Sequence, residues 1–228
     1  MIIAKRKPFE EIMESLKGYE QILIVGCGTC VAICLAGGEK EAEVLSTQLS
    51  IGFKLKGQNP EIAHITVERQ CDREFLMEIS SKVSEYQVLL SLACGVGVQF
   101  LSEIYQNKVV IPGVNTSFIG TNDDVGLWQE RCCMCNQCYL AITGAICPLT
   151  MCPKGILNGP CSGMIDGKCE VNRERACAWV MIYERMAAQG RLDKIERIIP
   201  CVKNSLIERP GRMIHMGYWR RYETSKKF

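Results

Sequence analysis

Cysteine is the residue type in which this sequence is most unusual, and its fifteen thiols are grouped. Nine lie between Cys132 and Cys177, five stand at Cys27, Cys30, Cys34, Cys71 and Cys94, and Cys201 is alone and reads as inert. A reducing compartment does not maintain structural disulfides, and buried inert thiols are usually scattered singly, so grouped thiols point to thiolate ligation of a metal. The pair in Cys27-Gly28-Thr29-Cys30 has the spacing that lets two sulfurs face one centre. Gly26, Gly28, Gly95 and Gly97 are expected to leave backbone N–H groups free to bond sulfur. Cys34 follows one turn after Cys30, where it either joins the set or packs inward as a small apolar residue.

The second group runs Cys132, Cys135, Cys138, then Cys147-Pro148, Cys152-Pro153, Cys161, Cys169 and Cys177, with Cys133 as an extra thiol. A C-x2-C-x2-C triplet followed by Cys-Pro is similar to the bacterial ferredoxin run, although the interval from Cys138 to Cys147 is longer than usual there. The triplet favours iron-sulfur clusters, two or more in the whole chain. Zinc is the competing reading, because paired thiolates also close tetrahedral structural sites in loop-rich modules.

Two other chemistries compete at the first group. Gly26-Cys27-Gly28 could begin a dinucleotide-binding turn, but Val31 occupies the position of the third glycine. A C-x-x-C pair beside a βαβ unit is also the mark of a thiol-disulfide oxidoreductase, yet the additional thiols favour metal.

The elements that must position these residues follow from apolar patterning. Gln21 to Val25, Ala63 to Val67 and Gln87 to Ala93 are rich in Val, Ile and Leu, and the intervals between them are long enough for helices over Glu39 to Lys56 and Asp72 to Tyr86. A fourth strand is expected at Val109 to Ile111. The rhythm predicts an α/β fold with a parallel, Rossmann-like sheet, whose ligands gather outside the carboxyl ends of the strands. Cys27 and Cys30 follow the first strand, Cys71 the second and Cys94 the third, so three strand ends deliver thiols to one edge. Beyond Thr116 the pattern breaks into Gly, Asn and Asp, which sets a boundary: an α/β domain over residues 1–120, and a cysteine-rich, loop-rich metal-binding module over 121–228. From Arg173 a C-terminal helix is expected, with Trp179, Tyr183 and Met186 as its core stripe and Gly190 as its stop. The tail after Pro210 carries Arg212, Tyr218, Trp219, Arg220, Arg221, Lys226 and Lys227 and reads as a solvated end. Neither histidine, His64 nor His215, sits in a ligand-like pattern.

With 27 basic and 25 acidic side chains, the chain gives no electrostatic reason to expect nucleic acid or an anionic membrane as partner. The first twenty residues lack the apolar stretch of a secretory signal, and the longest apolar runs fall short of the roughly 20 residues of a membrane span. A soluble cytoplasmic protein is expected.

Several motifs together carry a family resemblance: Gly26-Cys27-Gly28-Thr29-Cys30 with Gly37-Gly38-Glu39-Lys40, Ala93-Cys94-Gly95-Val96-Gly97, Cys147-Pro148, Asn158-Gly159-Pro160-Cys161 and Gly167-Lys168-Cys169-Glu170. Over roughly Gln21 to Ile199 the chain resembles the small iron-sulfur subunit of the two-subunit methylenetetrahydrofolate reductases of anaerobic and acetogenic bacteria. The departures are Ser162, where a glycine is expected after Cys161, and the added Cys133. The resemblance implies a role in one-carbon metabolism, with 4Fe-4S clusters passing electrons to a flavin on a separate catalytic subunit. That subunit reduces methylene- to methyltetrahydrofolate, and a ferredoxin or larger complex is the expected donor. A flavin-dependent reductase barrel takes about 250 residues, and this chain is neither long nor regular enough to hold one, so no complete active site is expected here. A zinc-stabilised assembly subunit of the same complex is the alternative.

Overall fold

A computed structural model describes residues 1–196, 198–201, 210–218 and 221. The chain divides into two compact units, Met1–Cys132 and Cys133–Phe228. Of the tail residues named above, Trp219, Arg220, Lys226 and Lys227 lie outside the described residues. Among the described residues, no helix is long and apolar enough to cross a membrane.

In chain order the first unit contains β1 (Ile2–Arg6), α1 (Phe9–Ser15), β2 (Gln21–Cys27), α2 (Cys30–Ile33), α3 (Glu39–Leu55), β3 (Glu61–Val67), α4 (Arg73–Glu78), α5 (Ser80–Ser84), β4 (Val88–Ser91), α6 (Gly95–Ile104), β5 (Val109–Pro112), β6 (Val114–Asp124) and β7 (Leu127–Cys132). Strands β3, β2, β4 and β5 form a parallel sheet in that spatial order. The inner strands β2 and β4 are near-continuous apolar runs because helices cover both faces of the sheet. Alternation along β2 shows the two layers directly. Ile22 and Ile24 join a core with Leu45, Leu49 and Phe53 of α3, while Leu23 and Val25 join another with Leu76, Val83 and Leu101.

Helix α3 forms because Ala42, Leu45, Leu49 and Phe53 recur at helical spacing, and the Glu41 carboxylate accepts the Gly38 N–H at 3.0 Å to start it. The helix expected over Asp72 to Tyr86 is interrupted at Ile79, giving α4 and α5. The buried positions there are Leu76, Ile79 and Val83, and Met77 is 52% exposed.

A three-stranded antiparallel sheet, β1-β6-β7, completes the unit. It extends the first unit to Cys132, past the boundary expected near residue 120. The Asn, Asp and Gly residues that read as a linker belong to this hairpin, where Gly120 is required because a Cβ would lie 2.0 Å from the Gln129 carbonyl.

The second unit is loop-rich, with α7 (Pro148–Met151) and α8 (Ala178–Ala188) as its α-helices among the described residues. Its core is small: Ile146, Cys177, Trp179, Ile182, Met186 and Ile199. Helix α8 begins after Cys177 and not at Arg173, and it buries Ile182 while Tyr183 is 55% exposed. The stripe is therefore Trp179, Ile182 and Met186, and Gly190 follows the helix end at φ +65°.

Candidate metal centres

At the first unit's carboxyl edge, the strand order puts the ends of β3, β2 and β4 side by side, so Cys71, Cys27 and Cys94 come from three neighbouring strands. Burial pushes the Cys71 thiol up, and the neighbouring Cys27 and Cys94 thiols raise it further, so both lie within electrostatic reach of Cys71. Each is fixed by local backbone. The Cys27 N–H donates to the Gly37 carbonyl at 2.9 Å, and a Cβ at Gly37 would lie 2.0 Å from the Leu92 carbonyl. Asp72 caps α4 by accepting the Glu74 N–H at 3.3 Å, which sets the chain directly after Cys71. Cys94 stands at the N-cap of α6, and Cys30 opens α2.

Cys34 is placed differently. It is buried in the apolar core, and its S–H donates to the Cys30 carbonyl at 3.1 Å and faces the Ile2 carbonyl at 3.5 Å. Burial raises its pKa. This is the inward-packed arrangement.

The glycines serve space more than sulfur. The Gly28 N–H donates to the Val67 carbonyl at 2.9 Å and the Gly95 N–H to Thr116 Oγ1 at 2.8 Å, so neither is free for a thiolate, contrary to the sequence expectation. A Cβ on Gly26 would lie 2.3 Å from Thr66 Oγ1, and one on Gly97 would lie 2.6 Å from Ala93 Cβ and 2.9 Å from Gln70 Cβ.

Gln70 escaped the sequence reading. Its side chain is fully buried, donates from Nε2 to the Val25 and Gly26 carbonyls at 2.7 and 3.1 Å, and accepts from Ser91 Oγ at 2.6 Å. A glutamine after a strand reads as surface, and only its position immediately before Cys71 hinted otherwise.

In the second unit, Cys133 associates with Cys135 and Cys147. Burial raises its pKa, a hydrogen bond from Thr150 opposes that, and the charges of Cys135 and Cys147 raise it again. Thr150 Oγ1 also donates to Cys147 Sγ at 3.4 Å. The extra thiol, itself exposed, thus stands within electrostatic reach of Cys135 and Cys147. Cys135 donates to the Gln137 carbonyl at 3.1 Å, between Met134 and Asn136, which both adopt the left-handed backbone (φ 54° and 57°) that non-glycine residues seldom take. Cys132 and Cys138 are exposed. Cys201, read as isolated, acts with Cys135 on the Tyr139 hydroxyl, whose pKa burial and these two thiols raise.

Cys147 and Cys152 bracket the single turn of α7. Cys161 is presented by Asn158-Gly159-Pro160, which contains a cis Gly159–Pro160 bond. Asn158 donates to the Ile199 carbonyl at 2.8 Å and accepts its N–H at 2.7 Å, while Gly159 lies against the Trp179 ring, 2.3 Å from where its Cβ would be. Trp179 in turn donates to the Ile156 carbonyl at 2.7 Å. The backbone N–H groups of Asn172 and Val171, with Lys154 and Arg173 nearby, hold the Cys169 thiol below its ordinary range. Cys177 is buried at the start of α8.

Among the described residues, no three His, Cys, Asp or Glu side chains are gathered at metal-ligating geometry. The donor set is of the kind a thiophilic metal takes: Cys27, Cys71 and Cys94 are thiols delivered by three neighbouring strand ends. A cavity of about 520 Å³ lined by Tyr19, Phe53, Gln58 and Asn59 lies at the opposite, amino-terminal edge of the sheet and contains no thiol.

No curated protein and no solved structure matches the chain. Residues 111–205, which include every thiol from Cys132 to Cys201, match the family model described as methylene-tetrahydrofolate reductase C terminal. Residues 111–205 are thus similar to that carboxyl-terminal family over less than half of the chain.

Proposed function

We propose that this chain is the iron-sulfur, electron-transfer subunit of a methylenetetrahydrofolate reductase, serving a flavin-bearing catalytic subunit. The observation that carries the reading is the delivery of Cys27, Cys71 and Cys94 to one edge of the parallel sheet, with Cys30 at the start of α2. The match over residues 111–205 supports the reductase context. Iron-sulfur clusters, when bound, supply one-electron transfer. The chain's own residues supply thiolate ligands from Cys27, Cys30, Cys71 and Cys94 in the first unit. Cys132 closes the first unit at the end of β7, and in the second unit the ligands come from among Cys133, Cys135, Cys138, Cys147, Cys152, Cys161, Cys169 and Cys177. The N–H groups of Val171 and Asn172 stabilise the Cys169 thiolate, the kind of outer contact that tunes a thiolate-held centre.

The test uses the anaerobically purified chain with the flavin subunit that co-purifies with it. Pre-reduced chain is expected to reduce that flavin in rapid mixing, and Cys94→Ser should abolish the transfer while the complex still forms. Flavin reduction at the same rate with Cys94→Ser would remove the strand-end centre from the electron path.

One observation favours a second reading for the carboxyl-terminal unit alone. Its apolar core is small for its length, which suits a module held by zinc. Zinc bound in the second unit, with no iron there, is the outcome that would establish it.

A further inference from the structure

We infer that Gln70 and Ser91 form a buried hydrogen-bonded clasp that positions the strand-end thiols, and that this clasp sets the metal affinity of the edge. The inference rests on the metal reading of Cys27, Cys71 and Cys94. It adds two positioning residues that are not themselves ligands.

The clasp reaches the residue before each thiol. Gln70 Nε2 donates to the carbonyls of Val25 and Gly26, and Gly26 precedes Cys27. Gln70 is itself the residue before Cys71. Its Oε1 accepts from Ser91 Oγ at 2.6 Å, and Ser91 Oγ in turn accepts the Ala93 N–H at 3.3 Å, one residue before Cys94. One primary amide and one hydroxyl thus connect three chain segments from β2, β3 and β4 at the point where each is about to present sulfur.

The residue types follow from the bonding. The terminal group must offer two N–H donors to carbonyls and one acceptor to a hydroxyl, which an amide does and a carboxylate cannot. The hydroxyl must donate and accept at once, as serine does. Both side chains are fully buried, so no water competes and an unmade bond leaves a buried polar group unsatisfied. Gly97 belongs to the same construction. A Cβ there would lie 2.9 Å from Gln70 Cβ and 2.6 Å from Ala93 Cβ, so the absent side chain lets the first turn of α6 close over the clasp.

The experiment is performed on the full chain in metal-free, reduced form, with Co²⁺ as the probe. Thiol alkylation is read peptide by peptide in a mass spectrometer, so protection of Cys27, Cys71 and Cys94 is followed separately from the second unit. In the unaltered chain these three thiols should become protected together over one Co²⁺ range. Gln70→Leu keeps volume and removes the bonds, and Ser91→Ala removes the link to β4 alone. Both should shift that range upward by about 10–100-fold, the usual consequence of losing an outer-shell partner. Protection in the second unit should be unchanged.

Unaltered midpoints in folded Gln70→Leu and Ser91→Ala would overturn the clasp. Should Gln70→Leu fail to fold, Ser91→Ala decides by the same criterion. As a control for general loosening, Leu49→Ala, on α3 in the core on the opposite face of the sheet from α6, should lower stability without moving the Co²⁺ range. If it moves the range as far as Ser91→Ala does, the clasp has no specific role. Absence of protection at these thiols in the unaltered chain would instead overturn the metal reading itself.

Discussion

The two units meet the problem of holding thiols in opposite ways. In Met1–Cys132 the scaffold is a conventional α/β core, with Ile22, Leu23, Ile24, Leu89 and Leu90 all fully buried, and the thiols are placed on a frame that stands without them. In Cys133–Phe228 the described core is one small cluster around Trp179, Ile182 and Met186, and the thiols are spread through the loops that surround it. Where apolar burial is plentiful, the proposed metal would be an addition to an already folded edge. Where it is scarce, metal binding and folding are expected to be the same event.

Metal removal should separate the units most strongly. Anaerobic chelation is expected to abolish hydrogen-exchange protection in the second unit, including α8, and to leave protected amides in β2 and β4. Persistence of α8 protection after complete metal loss would break the comparison. A core deletion provides the reverse case. Leu49→Ala on α3 should destabilise the first unit by about 2–5 kcal/mol in denaturant unfolding, with metal content unchanged. A comparable effect is expected from Asn158→Ala, which strips both partners from the Ile199 backbone at about 1–3 kcal/mol for each group left unsatisfied. It should be felt in the second unit alone, measured by protection of α8.

The mildest contrast is in thiol chemistry. The Cys169 pKa is lowered by backbone N–H donors, whereas that of Cys71 is raised by burial and by its neighbouring thiols. As pH rises in the metal-free chain, Cys169 gains thiolate character first and should be alkylated at lower pH than Cys71. Equal pH midpoints would remove this distinction.

How much of this was legible in the sequence differs between the units for the same physical reason. The inner strands β2 and β4 announce themselves because both faces are buried and the run is uniformly apolar. The topological rule for parallel sheets then assigns Cys27, Cys71 and Cys94 to one edge from the sequence alone. The sheet β1-β6-β7 was missed because β6 and β7 are mostly exposed and carry the Asn, Asp, Thr and Gly residues of an ordinary linker. Gln70 was missed because no local pattern marks a polar residue for burial; its partners are on β2 and β4, distant in the chain. In the second unit, Cys133 was set aside on spacing alone, yet the turn of α7 brings Thr150 and Cys147 within reach of it. Loop geometry of that kind is specified by long-range packing and not by intervals between cysteines.

The most direct test of the central claim is the metal and sulfide content of the anaerobically purified chain, measured together with its visible spectrum before and after dithionite. The account predicts a brown protein with iron and sulfide in near-equal amounts, at multiples of about four per chain as 4Fe-4S clusters require, and a band that bleaches on reduction. A colourless protein holding zinc alone would contradict it.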